Sequence, residues 1–344
     1  MTSLVLLAQQ TGLRTLLALP RPVVRLLAGR HLVVDGESLG AETQMILRMQ
    51  HLLREHSPGH YPILKARRVM EHQSATVSGR LPIGAVEDLS LGGLPARRYV
   101  PQALLEETAR PTLVFFHGGG FIYGGLDSHD APCRFLAETA GVQVISVDYR
   151  LAPEAVAPAA LVDCVAAHEW VATHPDELAV DTSRIAVGGD SAGGNLAIGV
   201  ARAAAVSGTP LAFQLLVYPM TQIDSRTNSK ELFGSGFYLD VPFMNAANEH
   251  YAPTPELCAD PRVSPLLGEV PRGLAPAYLC TAGFDPLRDE GEAYAAKVAA
   301  AGADIEVRRF GAEIHGFLNI VGVGSESRAC VTEIADALRK GLSA

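Results

Sequence analysis

The stretch "IAVGGDSAGGN", Ile185–Asn195, sets a single serine among glycines directly after an apolar run. The run "RIAVGG" reads as a buried strand, and "SAGGNLAIGVARAAAV" after it reads as a helix. A strand that turns this abruptly into a helix leaves no room for side chains two positions before and two after the apex. Those positions are Gly189 and Gly193, and the apex is Ser191. The apex residue is forced into strained backbone geometry and its side chain stands clear of the sheet. It also sits at a helix N-terminus, where free N–H groups favour developing negative charge. Glycine-rich strand–helix turns bind phosphate as well. This one has no P-loop lysine and does not open the first βα unit, so Ser191 is read as a nucleophile.

A serine needs a base, and the base needs an orienting acid. In the chain order serine, acid, histidine, the histidines downstream of Ser191 are His250 and His315. His250 lies in a proline-rich irregular segment. His315, in "EIHGF", follows the strand "DIEVRRF" and can face the turn, so it is the expected base. "PAYLCTAGFDPLRDEG" offers Asp285 and Asp289; Asp285 stands just past the strand and is preferred, while Asp289 suits a helix-start charge role. Asp190 is read as structural. "FFHGGGF" follows another buried strand, and the backbone N–H groups of Gly118, Gly119 or Gly120, with that of Ala192, are the expected oxyanion donors. Which of the three glycines donate is left open. His117 is read as a brace of that loop. Phe121, Tyr123, Phe237, Tyr238 and Phe317 are candidate pocket walls.

From about residue 85 onward, strand-like and helix-like segments alternate, which predicts an α/β protein with a mainly parallel, doubly wound sheet. "PTLVFFH", Pro111–His117, is the expected central strand, and "LPARRYVP" a strand with arginines on its open face. Two stretches break the alternation. Residues 1 to about 80 are helical and loop-like, and residues 222 to 265 read as irregular, with five prolines among them. Both are expected over the carboxyl edge of the sheet, where open α/β sheets bind ligands.

The chain has 344 residues, 48% of them hydrophobic, and a net charge of −9 without a basic block. That balance excludes nucleic acid as a partner, because the phosphate contribution needs clustered Lys and Arg. Cys133, Cys164, Cys258, Cys280 and Cys330 form no CxxC and are read as reduced thiols, hence a cytoplasmic setting and no metal site. The apolar N-terminus lacks a charged start and is interrupted by Gln9 and Gln10, so it reads neither as a secretion signal nor as a membrane span. Leu6, Leu13, Leu16 and Leu17 at helical spacing predict an amphipathic helix packed on the protein, with peripheral membrane contact as the alternative.

Taken together, "HGGGF" at 117–121, "DYRLAPE" at 148–154, "GDSAGGN" at 189–195, "DPRVSPL" at 260–266, "DPLRDEG" at 285–291 and "HGF" at 315–317 resemble the bacterial hormone-sensitive-lipase-like carboxylesterases. The resemblance spans residues 82–340. It implies an α/β-hydrolase fold of about eight strands, a Ser191–His315–Asp285 triad, and a catalytic domain of residues 82–221 and 263–344. It also implies a helical cap of residues 1–81 with 222–262, and a role for Arg150 and Glu154 in ordering the nearby loop. The expected function is a serine carboxylesterase acting on short-to-medium acyl esters, with no cofactor. The alternatives are a lipase on longer acyl chains, an aryl-amide deacetylase, or a ligand-binding receptor on the same scaffold. The expected partner is a small-molecule ester; a homodimer is compatible with the sequence and not required by it.

Overall fold

The computed structural model describes residues 4–79 and 81–343; residues 1–3, 80 and 344, which the expected domain boundaries include, lie outside the described residues. The chain opens with α1 (Leu4–Leu17), α2 (Arg21–Ala28), a short hairpin of β1 (Val33–Val34) and β2 (Glu37–Ser38), α3 (Ala41–Leu52) and α4 (Ile63–Ser78). There follow β3 (Ala85–Leu91), β4 (Leu94–Val100), β5 (Arg110–Phe116), α5 (Asp130–Ala140), β6 (Gln143–Val147), α6 (Ala159–Thr173), α7 (Pro175–Leu178), β7 (Val180–Asp190), α8 (Ala192–Ser207) and β8 (Phe213–Val217). Helices α9 (Asn228–Phe233), α10 (Val241–Tyr251) and α11 (Pro255–Ala259) precede β9 (Ala277–Phe284), α12 (Arg288–Ala300), β10 (Ile305–Ile314) and α13 (Glu326–Gly341).

Strands β3 to β10 form one eight-stranded sheet in the order β10-β9-β8-β7-β5-β6-β4-β3. It is parallel except where β4 pairs antiparallel with β3 and with β6. The expected mainly parallel α/β sheet is thus what the chain builds. Successive side chains of a strand point to opposite faces, and β5 shows the result. Leu113 and Phe115 pack with Leu136 and Leu338 on the α5/α13 side. Val114 and Phe116 pack with Leu161 and Leu196 on the α6/α8 side.

Three elements differ from the sequence expectation. The β3 strand is mostly exposed and has no continuous apolar run; its register is held by pairing Glu87 and Asp88 opposite Arg98 and Arg97 of β4. The hairpin of β1 and β2 turns on Asp35–Gly36, both at positive φ, which an Asp-Gly pair favours. The 222–265 segment is not irregular throughout. It contains α9 to α11, whose first turns are capped by the side chains of Thr227, Asp240 and Thr254. Pro242 and Pro255 sit in those first turns, where proline starts a helix rather than breaking it.

At the turn between β7 and α8, Ser191 adopts φ 56° and ψ −117°. In the register of β5 against β7, Phe116 lies opposite Gly189. A Cβ on either Gly189 or Gly193 would collide with the Phe116 carbonyl. The two glycines are therefore a steric demand of the neighbouring strand.

The N-terminal helices dock on the sheet domain through α13. Glu42, in the first turn of α3, accepts from the N–H groups of Ser325 and Glu326 at 2.6 and 2.8 Å. Glu326 in turn accepts from the N–H of Glu42 at 3.1 Å. Each helix start is capped by a carboxylate of the other, which satisfies orphan donors and opposes both helix dipoles. Helix α1 packs as expected, with Leu17 buried, Leu13 and Leu16 half-buried, and Gln10 donating to the Ala75 carbonyl at 2.7 Å. No helix among the described residues is long and apolar enough to cross a membrane.

Gly193→Ala is expected to cost more than about 3 kcal/mol, because the collision is with backbone that cannot move aside. Thermal unfolding and soluble yield check this; an unchanged melting temperature would remove the steric account of the turn.

Candidate active site

Parallel pairing brings the carboxyl ends of β5, β7, β9 and β10 to one edge of the sheet. The loop after β5 begins at His117, the turn after β7 holds Ser191, Asp285 follows β9, and His315 follows β10. Ile314 lies opposite Phe284, so His315 and Asp285 leave adjacent strands side by side. The Nδ1 of His315 is 2.8 Å from Asp285 Oδ2, and its Nε2 is 2.9 Å from Ser191 Oγ. Asp285 also accepts from the Leu287 N–H at 2.8 Å, which fixes its carboxylate. All three side chains are buried or nearly so, with Ser191 9% exposed. His250, on α10, lines none of the recesses around Ser191. Asp289 accepts from the Ser229 N–H at 2.8 Å and so ties α9 to α12.

The glycine loop is held from beneath by Asp190. Its Oδ1 accepts the Gly118 N–H at 2.8 Å and lies 3.2 Å from His129 Nε2. That bond removes Gly118 from the expected oxyanion donors, since its N–H is already spent. Among the described residues, the N–H groups of Gly119, Gly120 and Ala192 donate to no protein acceptor, and these residues border the space beside Ser191. Burial alone would push the Asp190 carboxyl up; His129 and the Gly118 N–H outweigh it and hold the carboxyl below its ordinary range. His117 stacks on Tyr149 at 4.3 Å between ring centres, and Tyr149 donates to the His117 carbonyl at 2.6 Å. Burial lowers the His117 pKa to about 3, so the ring is neutral and its Nδ1–H donates to the Gly118 carbonyl at 2.8 Å. Arg150 pairs with Asp163 at 2.7 Å, and Glu154 with Arg67 of α4 at 2.7 Å.

Of the expected pocket walls, Tyr238 lines the cleft over Ser191 and Phe121 lines the recess beside it. The other three do not. Phe317 is fully buried against Tyr218 and Phe310 in the core. Phe237 packs with Phe233 and Phe284. Tyr123 is buried with its ring edge-on to Phe243. The wall the sequence reading missed is Leu239 and Phe243, which border both spaces. Phe243 stands in the first turn of α10, and the capping Asp240 followed by Pro242 was the available signal for that helix.

A serine, a histidine and a buried carboxylate in hydrogen-bonded series, beside unspent backbone donors, define a hydrolase site on an α/β-hydrolase fold. The comparisons carry this further. The family model for the alpha/beta hydrolase fold matches residues 113–319. A carboxylic ester hydrolase of Mycobacterium tuberculosis, LipN, is 41% identical over 96% of this chain and 91% of its own length. The ethyl acetate hydrolase of Pseudomonas putida is 36% identical over 81% of this chain and 90% of its own. The structure of a hyperthermophilic esterase from the archaeon Pyrobaculum calidifontis superposes with a TM-score of 0.83 at 36% identity, over 88% of this chain and 98% of that one. The chain belongs to the hormone-sensitive-lipase-like carboxylesterases of the α/β-hydrolase fold, and it is a carboxylic ester hydrolase.

Asp190→Ala should lower kcat by about 10², as expected when a loop donor shifts by an ångström or so; steady-state kinetics on a soluble ester decides it. A second prediction concerns Glu313, two residues before His315 on β10. It is buried between Thr43 of α3 and Ser327 and Cys330 of α13, and the Glu326 carboxylate faces it. Burial raises its pKa from 4.5 to about 7. Its folded value lies above its unfolded one, so its contribution to stability is full below pH 4.5 and is lost as pH rises through about 7. Glu313→Gln should therefore raise the melting temperature by about 1–3 °C at pH 8 and leave it unchanged at pH 5. Equal melting at both pH values would contradict the assignment.

Proposed function

We propose that Ser191, His315 and Asp285 hydrolyse short-to-medium acyl esters through an acyl-enzyme. The observation that carries the reading is the unbroken series Asp285 Oδ2 to His315 Nδ1 at 2.8 Å and His315 Nε2 to Ser191 Oγ at 2.9 Å. His315 takes the Ser191 proton as Oγ attacks the ester carbonyl. Asp285 fixes the tautomer and stabilises the imidazolium. The N–H groups of Ala192 and of Gly119 or Gly120 receive the negative oxygen. His315 then protonates the departing alkoxide, and water attacks the acyl-serine by the same route.

Residues 1–81 with 222–262 act in this reading as a cap over the domain of 82–221 and 263–344. It is supported by the two segments meeting above Ser191, where Ser57 donates to Asp240 at 2.8 Å and Met70 and Phe243 both border the cleft. A short acyl group is favoured by the size of the spaces on Ser191, about 60 and 50 Å³, and by the ethyl acetate hydrolysis for which the Pseudomonas relative is named. We also propose a cytoplasmic setting, which five unpaired cysteines support. All three proposed catalytic residues come from one chain, so the reading holds for a monomer and a homodimer alike.

Ser191→Ala should lower kcat on a soluble ester by about 10⁴ to 10⁶, and a fluorophosphonate should label the wild type and not the variant. Wild-type turnover by Ser191→Ala would end this reading.

A further inference from the structure

Around Ser191 the free space is divided unequally. The cleft that includes His315 has about 60 Å³, and the recess against Gly120, Phe121 and Ala192 has about 50 Å³. Each is well below the roughly 150 Å³ that admits a benzene ring. A third space, of about 390 Å³, lies between α1, α3 and α4. Its lining is mostly apolar, including Leu13, Leu16, Met49 and Leu53, and its size is that of a small-ligand pocket. Ile46, Gln50, Gln73 and Val77 border both this space and the His315 cleft. A polar recess of about 230 Å³, lined by His51, His56, His60 and Asp240, meets the other two at the same Gln50 and Gln73. Gln73 is held by one bond, from Nε2 to the His56 carbonyl at 3.1 Å, and its buried Oε1 has no protein partner. The side chain between cleft and apolar space is thus tethered on one side only.

We infer that the space between α1, α3 and α4 receives the hydrocarbon chain of the ester's alcohol, making short-acyl esters of longer apolar alcohols the favoured substrates. The inference rests on the proposed roles of Ser191 and His315. A base that returns its proton to the departing alkoxide must stand beside the alcohol oxygen. His315 borders the cleft that adjoins the large apolar space and does not border the recess at Gly120 and Ala192. The alcohol therefore leaves toward α3 and α4, and the acyl group is confined to the smaller recess. Gln50 and Gln73 move aside for the chain, and burial of each methylene beyond them favours binding.

Octyl acetate and ethyl octanoate are isomers that carry the chain on opposite sides of the ester bond, so they test the assignment at equal hydrophobicity. Wild type should show about tenfold or higher kcat/KM on octyl acetate. A Cβ at Gly12 would meet nothing within 4 Å, so Gly12→Phe fills the space without a backbone clash. It should remove that preference and leave ethyl acetate turnover unchanged. Ala8→Phe fills the same space from the preceding turn of α1 and decides the matter if Gly12→Phe also loses ethyl acetate turnover. A preference for ethyl octanoate, or octyl acetate turnover unaltered in filled variants that still cleave ethyl acetate, overturns the inference. Loss of nothing in Ser191→Ala would instead overturn the catalytic reading beneath it.

Discussion

The carbonyl of Phe116 is the constraint on which the site depends. It occupies the space where a side chain at 189 or 193 would project, so the strand–helix turn carries glycine at both places. The same pairing of β5 with β7 leaves Ser191 at positive φ and starts the glycine loop one residue past Phe116. Serine and loop are thus not two features that happen to meet. They are the ends of adjacent strands in one register, and Asp190, next to Ser191, reaches across to hold Gly118. Strain of this kind persists only where surrounding structure over-determines it, and here the N–H of Ser191 is also bonded to the Val217 carbonyl of β8.

Two buried carboxylates near the site illustrate opposite solutions to the cost of burying charge. Asp190 has a histidine and a backbone donor to offset desolvation, and it stays ionised below its ordinary range. Glu313 has only hydroxyls, a thiol and another carboxylate around it, and its pKa rises. The first fits a group that must keep a loop in place across neutral pH. The second lies where α3, α13 and β10 meet, and it makes that joint tightest when the carboxyl keeps its proton.

Much of the sheet was legible because Ser191 and Asp285 each follow a continuous apolar run, while His315, after the mostly exposed edge strand β10, was legible from its place in the chain order. Such runs report burial on both faces. Strand β3 was missed for the converse reason: most of its side chains face solvent and cross-strand charge pairs hold its register. Prolines in 222–265 were misread as breakers because their value as helix starters shows only with the capping residue before them, as in Asp240 with Pro242. Aromatic walls were legible least. Phe317 lies two residues past His315 and Phe237 stands next to the cleft-lining Tyr238, yet a one-residue change of facing sends a ring into the core, and nothing local in the sequence fixes it. That Gly118 is engaged by Asp190 is likewise a contact over 72 residues, beyond any motif.

The mutual capping of α3 and α13 has a temporal consequence. The amides that Glu42 receives lie 283 and 284 residues later in the chain. At about 5–20 residues per second on the ribosome, α3 waits roughly 15–60 s before those amides are made. The walls that α3 and α4 contribute to the cleft are therefore anchored only once Ser325 and Glu326 have been made. Strands β3 to β8 can pair well before that, whereas β10, at whose end His315 stands, is completed just before the amides that anchor α3.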